Sequence, residues 1–168
     1  FAGNFDGQGY TVYGLYYNDA AAEGDIVSGG LGLFPGVSGM AVIRNVHIRD
    51  AYLSGKAYVG AIAGQVNGNS SSTEYARIIG CSADDTVVLL GQTVGGILGG
   101  GGGGAEITYS CFTGTIFEAT GGVARGNGIV GDIWSYNYKL AECYSLGYTT
   151  YRGNKRRSKR GVFYAGCE

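Results

Sequence analysis

Asp50 and Asp85 are the acidic residues whose spacing holds the most chemistry. Each lies four residues beyond a small apolar residue, Val46 and Cys81 respectively, in segments that otherwise correspond. On adjacent stacked strands two such carboxylates sit roughly 5 Å apart. That separation suits a calcium ion or a proton shared during glycoside hydrolysis, and Asp84 adjoins the pair. The same position falls on Thr115 and Gly147 in the next two segments, and aspartate at a corner also satisfies turn backbone, which is the simpler reading.

A second candidate is basic. Arg152, Lys155, Arg156, Arg157, Lys159 and Arg160 are six of the 12 basic residues, and Tyr144, Tyr148 and Tyr151 precede them with aromatic faces that stack on sugars or bases. Such a run either binds an anionic partner or is a solvated loop. With a net charge of −1 and only 15% charged residues, the chain as a whole is drawn to neither nucleic acid nor a membrane surface, and its apolar runs are too short to span a bilayer. His47 is the only histidine, placed outward by the alternation around it, with no nucleophile at a meaningful spacing along the chain. The run of six glycines at 99–104 lacks the Lys-Ser/Thr of a phosphate loop and reads as a flexible or tightly bent corner. Asp6, in NFDGQG, sets a turn. Cys81, Cys111, Cys143 and Cys167 contain no CxxC or Cys/His spacing, so they read as structural thiols, and no metal or cofactor is expected.

The elements that must carry these residues are marked by glycine. Thirty-four glycines in 168 residues, about three times the usual share, accompany 14 tyrosines and a single proline, which excludes both collagen and a flexible linker. Gly32 and Gly36, Gly60 and Gly64, Gly95 and Gly99, and Asn127 and Gly131 form pairs four residues apart, with Phe34, Ile62, Ile97 and Ile129 at their centres. The pairs recur 28, 35 and 32 residues apart, periods proper to a solenoid or similar array. Val46, Cys81, Cys111 and Cys143 follow as a second marker, and the distance from each marker to the next glycine pair is nearly constant. The other arc takes insertions, the largest being NGNSSSTE at 67–74.

Period-two alternation around the markers indicates strands, and no helix is expected except a turn near Asp19 to Glu23. Units too small to bury a face alone are satisfied by stacking coil on coil. The expected fold is therefore an all-β, right-handed parallel β-helix of about five coils, forming one domain over 1–168. Residues 1–29 are a lead-in coil and loop, 30–151 the repeats, 152–160 a basic loop, and 161–168 the start of a further, truncated coil, with Cys167 outside the cysteine column.

These residues resemble the GLUG-type repeat family of bacterial secreted and cell-surface proteins. The matching text is LGLFPG, YVGAIAGQV, TVGGILGG and GNGIVGDI, with RNVHIRDAYLSG, IIGCSADDTVVLLG, SCFTGTI and ECYSLG, after a lead-in FAGNFDGQGYTVYGLYY. Val46 in place of cysteine and Asn127 in place of glycine depart from the pattern. The resemblance implies a non-enzymatic adhesin-like module, secreted or at the cell surface, partnered by host or bacterial glycans or another protein. A polysaccharide-acting enzyme of the pectate-lyase or tailspike type and a filament subunit associating through its C-terminal coil are the alternatives. Because the chain begins at Phe1 without methionine, a signal or anchor in a parent protein is compatible with it.

Overall fold

Alternating apolar residues, many of them β-branched, build short strands that cannot bury a face alone, and in a computed structural model of the chain they stack as a parallel β-solenoid. The structure describes residues 1–18, 30–55, 58–67, 74–118, 125–133, 138–151 and 154–157. Among these there is no helix. The turn near Asp19 to Glu23, most of the 67–74 insertion, Arg152, Lys159, Arg160, Cys167 and the further coil at 161–168 lie outside the described residues.

The strands stack in five ladders, three of them running through every coil among the described residues. The first stacks Asn4–Asp6, Val42–Arg44, Tyr75–Ile79, Gly104–Thr108 and Tyr138–Ala141; the second stacks Thr11–Tyr13, His47–Arg49, Ser82–Ala83, Cys111–Phe112 and Tyr144–Ser145. The third contains Tyr16–Asn18, Tyr52–Ser54, Val88–Gly91, Thr115–Glu118 and Tyr148–Tyr151. Tyr58–Gly60, Thr93–Gly95 and Arg125–Asn127 make the fourth, and Phe34–Ser38, Ala63–Asn67, Leu98–Gly101 and Val130–Ile133 the fifth. Three turns contribute a strand to every ladder, with a partial turn at either end, so the expectation of about five coils counts the two partial ones as whole.

Inward residues form continuous rows. Ile43, Ile78 and Ile107 are paired through the first ladder, and Leu53, Leu89 and Ile116 through the third, all at most 1% exposed. Each such side chain contributes about 1.5–3 kcal/mol of burial.

The glycine columns are largely as the repeat predicts. Gly60, Gly95 and Asn127 pair in register, and Gly64, Gly99 and Gly131 follow from the pairing of their strands. Their role is close approach rather than a corner. A Cβ on Gly99 would come 2.5 Å from the Gly64 carbonyl and 2.6 Å from the Val59 amide, because each fifth-ladder strand packs by its backbone against the fourth-ladder strand of the preceding coil. The run at 99–104 holds the expected corner only at Gly102 and Gly103, which bend the chain from the fifth ladder into the first. Leu98–Gly101 and Gly104–Thr108 are strands, and Gly99, Gly100 and Gly101 are buried between neighbouring backbones.

Three members of the expected columns are displaced. Phe34 pairs with Ala63, not Ile62, and Gly36 with Gln65, not Gly64, so Leu33 enters the row of Ile62, Ile97 and Ile129. Phe34 instead joins a three-ring group, its centroid 4.8 Å from Phe1 and 5.2 Å from Phe5. Cys111 pairs with Ser82 and Tyr144, which puts Ser110 in the marker column with Val46, Cys81 and Cys143. The corner explains why. Each coil after the first turns from the first ladder to the second through one residue of positive φ, namely Asn45 (54°), Gly80 (61°), Tyr109 (53°) and Glu142 (53°), and the next residue is buried. A short donor suits that place: the Ser110 hydroxyl donates to the Thr108 carbonyl at 3.0 Å and accepts from the Cys81 amide at 3.2 Å. The Cys81 and Cys143 thiols make the same step back to Ile79 and Ala141.

Candidate ligand-binding face

With the corner register set, the outward residues of the second ladder fall into two rows. Thr11, His47, Ser82, Cys111 and Tyr144 make the first. Tyr13 pairs with Arg49 in the second, which Asp84 extends. Parallel pairing holds neighbours within a row about 4.8 Å apart, close enough for their side chains to touch.

They do touch. His47 Nδ1 and Ser82 Oγ are 2.6 Å apart although 35 residues separate them in the chain. Arg49 Nε lies 2.6 Å from Asp84 Oδ2, in a pair whose side chains are 54% and 22% exposed. Hydrogen bonding with Tyr13 first, and the Asp84 charge second, raise the Arg49 pKa and hold its guanidinium charged. Across the corner, Tyr16 and Tyr52 of the third ladder stack with centroids 5.7 Å apart and planes 24° from parallel. Tyr10, Tyr13 and Tyr16 are 75%, 61% and 69% exposed. This part of the surface thus presents unburied aromatic rings beside a fixed guanidinium and carboxylate.

At this turn Asp84 takes part through its carboxylate and Asp50 through its backbone amide. The Asp50 amide, at φ 49°, donates to the Thr86 hydroxyl at 2.7 Å. Asp84 Oδ1 accepts from the Thr86 amide at 3.0 Å and from its hydroxyl at 2.5 Å. Asp50 and Asp85 are both exposed. The row does not run on through Thr115, which pairs with Val88 in the third ladder; the later corners hold Gly114 and Gly147, where a Cβ would strike backbone carbonyls. Among the described residues no group of three or more His, Cys, Asp or Glu is placed to hold a metal ion. Asp6 behaves as its DG sequence predicts. Its Oδ1 accepts from the Gln8 amide at 2.9 Å and from Asn45 at 3.1 Å, and its Oδ2 pairs with Arg44 at 2.8 Å. The Gln8 hydrogen bond, then Asn45 and Arg44, lower its pKa.

The basic run is not simply a loop. Asn154–Arg157 forms a strand antiparallel to Tyr148–Tyr151, with Arg157 opposite Tyr148, Arg156 opposite Thr149 and Lys155 opposite Thr150. Tyr144 sits in a different ladder, 38% exposed beside Cys111, so the structure does not gather the three tyrosines on one strand.

His47 with Ser82, and Tyr13 with Arg49 and Asp84, escaped the sequence. The available signal was position relative to the marker, since His47 and Ser82 each follow one directly. Compared with known proteins, the chain matches no family model, no curated protein and no solved structure. Fold and face together define a parallel β-solenoid with a polar and aromatic outward surface. No helix among the described residues is long and apolar enough to cross a membrane.

The buried thiols report on packing. Burial pushes the Cys81 thiol from 9.0 up to about 11, against weaker lowering by hydrogen bonds. Below pH 9 the thiol is neutral in both folded and unfolded chains. Between pH 9 and 11 the unfolded chain loses this proton while the folded chain keeps it, so stability falls by on the order of 2 kcal/mol. Urea midpoints measured from pH 8 to 11 should fall less steeply in Cys81→Ala than in the parent; parallel curves would show that Cys81 is not shielded.

Proposed function

We propose that this chain is a structural and binding module of a secreted or surface-anchored, adhesin-like bacterial protein, a rigid solenoid that presents a glycan-binding face. The supporting observation is the combination of exposed Tyr13 and Tyr16 with the Arg49 and Asp84 pair. Sugar rings have apolar faces that stack on tyrosine, and their hydroxyls both donate and accept hydrogen bonds, which a paired guanidinium and carboxylate answer together. The ladder fixes these groups before any ligand arrives, which limits the ordering cost of binding.

Retention on a glycan array tests the reading. Tyr13→Ala with Tyr16→Ala removes two stacking faces of about 1 kcal/mol each, so binding should weaken roughly tenfold or more. Loss confined to Arg156→Ala with Arg157→Ala would move the site to the basic strand. If neither double variant changes retention, the glycan reading fails.

A further inference from the structure

Building on the glycan reading above, we infer that the outward face of the second ladder takes an uncharged, linear polysaccharide laid along the solenoid axis, about one sugar to each coil. Thr11, His47, Ser82, Cys111 and Tyr144 form one outward row, and Tyr13, Arg49 and Asp84 begin the other. The Thr113 and Leu146 amides donate to the Ala83 and Phe112 carbonyls at 2.9 and 3.0 Å, so these two residues continue the second row. Nine of these ten side chains can form hydrogen bonds, and each row repeats at about 4.8 Å. An extended chain of sugars advances by a similar step, so successive units meet equivalent pairs of side chains.

The chain on either side of this strip is short and regular. Two residues join the first ladder to the second in each coil after the first, and two to four join the second to the third. The 67–74 insertion instead enters between the fifth ladder and the first. A straight, unbranched ligand matches a strip that does not vary from coil to coil. The three middle strands are paired on both edges, so this face offers side chains only and cannot add a peptide strand. Its charge selects among polysaccharides. Arg49 and Asp84 neutralise each other, as do Arg44 and Asp6 nearby, while Asp50, Asp85 and Glu142 are exposed at the corners beside the strip. An anionic polymer would meet net repulsion there.

The test is titration calorimetry of the whole chain with β-1,4-linked glucose oligomers of two to five units. Affinity should rise about threefold or more with each added sugar, as a further hydrogen bond forms in each coil. Thr113→Lys and, separately, Leu146→Lys place a charged side chain on the strip two or more coils away from Arg49. Each should weaken the five-unit oligomer by about threefold or more and leave the two-unit oligomer, held at Tyr13 and Arg49, unchanged. Leu146 is 58% exposed, so its replacement leaves the core untouched. Absence of binding, equal affinity at every length, a five-unit oligomer indifferent to both lysines, or tighter binding of galacturonic acid oligomers of the same length would each overturn the inference. In any of these cases, loss of array retention in Tyr13→Ala with Tyr16→Ala would leave the broader glycan reading standing.

Discussion

Gly95→Ala should unfold much of the solenoid, at a cost of about 3 kcal/mol or more. A Cβ there would strike the Leu98 carbonyl, the Gly131 amide and the Val130 carbonyl carbon. All three are backbone atoms held in the fifth ladder, so relief requires moving a strand rather than rotating a side chain. Overpacked cores usually lose about 1–3 kcal/mol when flexible side chains can yield. None is available here, and a domain's whole stability is about 5–15 kcal/mol. Gly9→Ala is the matched control, because Gly9 has φ +77° but open space around it. It should cost only the left-handed backbone strain of about 1–2 kcal/mol. Urea denaturation followed by circular dichroism separates the two, and equal midpoints would mean that the fourth- and fifth-ladder strands do not touch through their backbones.

Phe112→Ala should produce the next largest loss, about 4 kcal/mol, with a melting temperature roughly 10 °C lower. Phe112 is 1% exposed and lies in the inward row between Ala83 and Ser145. Its ring fills room left by three glycines. A Cβ on Gly96 would collide with it, and on Gly114 or Gly147 would come within 2.9 and 2.8 Å of it. The small neighbours leave little to collapse into the vacancy, which puts the cost toward the upper end for a buried aromatic. Phe112→Leu keeps part of the volume and should lose about half as much. Calorimetry on the two variants checks the order, and a loss below about 1 kcal/mol for Phe112→Ala would show that the ring is not enclosed.

Other glycines show why much of the fold was legible from the chain. Stacked coils meet the same steric demand at the same place, so Gly60 and Gly95 recur where backbone faces backbone, and Gly64, Gly99 and Gly131 recur opposite them. Ile62, Ile97 and Ile129 repeat for a related reason, each filling one layer of a continuous interior. Marker identity was a poorer guide. Cysteine drew attention to Cys111, but the corner takes a residue of positive φ followed by a small inward one, and Tyr109 with Ser110 satisfies that. A one-residue slip exchanges the inward and outward sets of a strand. It therefore hid Cys111 on the outer face, beside Tyr144.

The sequence by itself determined that the chain is a solenoid, which residues repeat and which side of each coil is apolar, because these are local requirements copied from unit to unit. Only the tertiary structure decided which side chains meet. His47 reaches Ser82, and Arg49 reaches Asp84, across a whole coil whose length varies with its insertions. Only stacking sets that register. The basic segment is the clearest case: its charge was evident at once, but its place as an antiparallel strand beside Tyr148–Tyr151 depends on the edge left open by the last parallel strand, a property of the assembled sheet rather than of any residue in it.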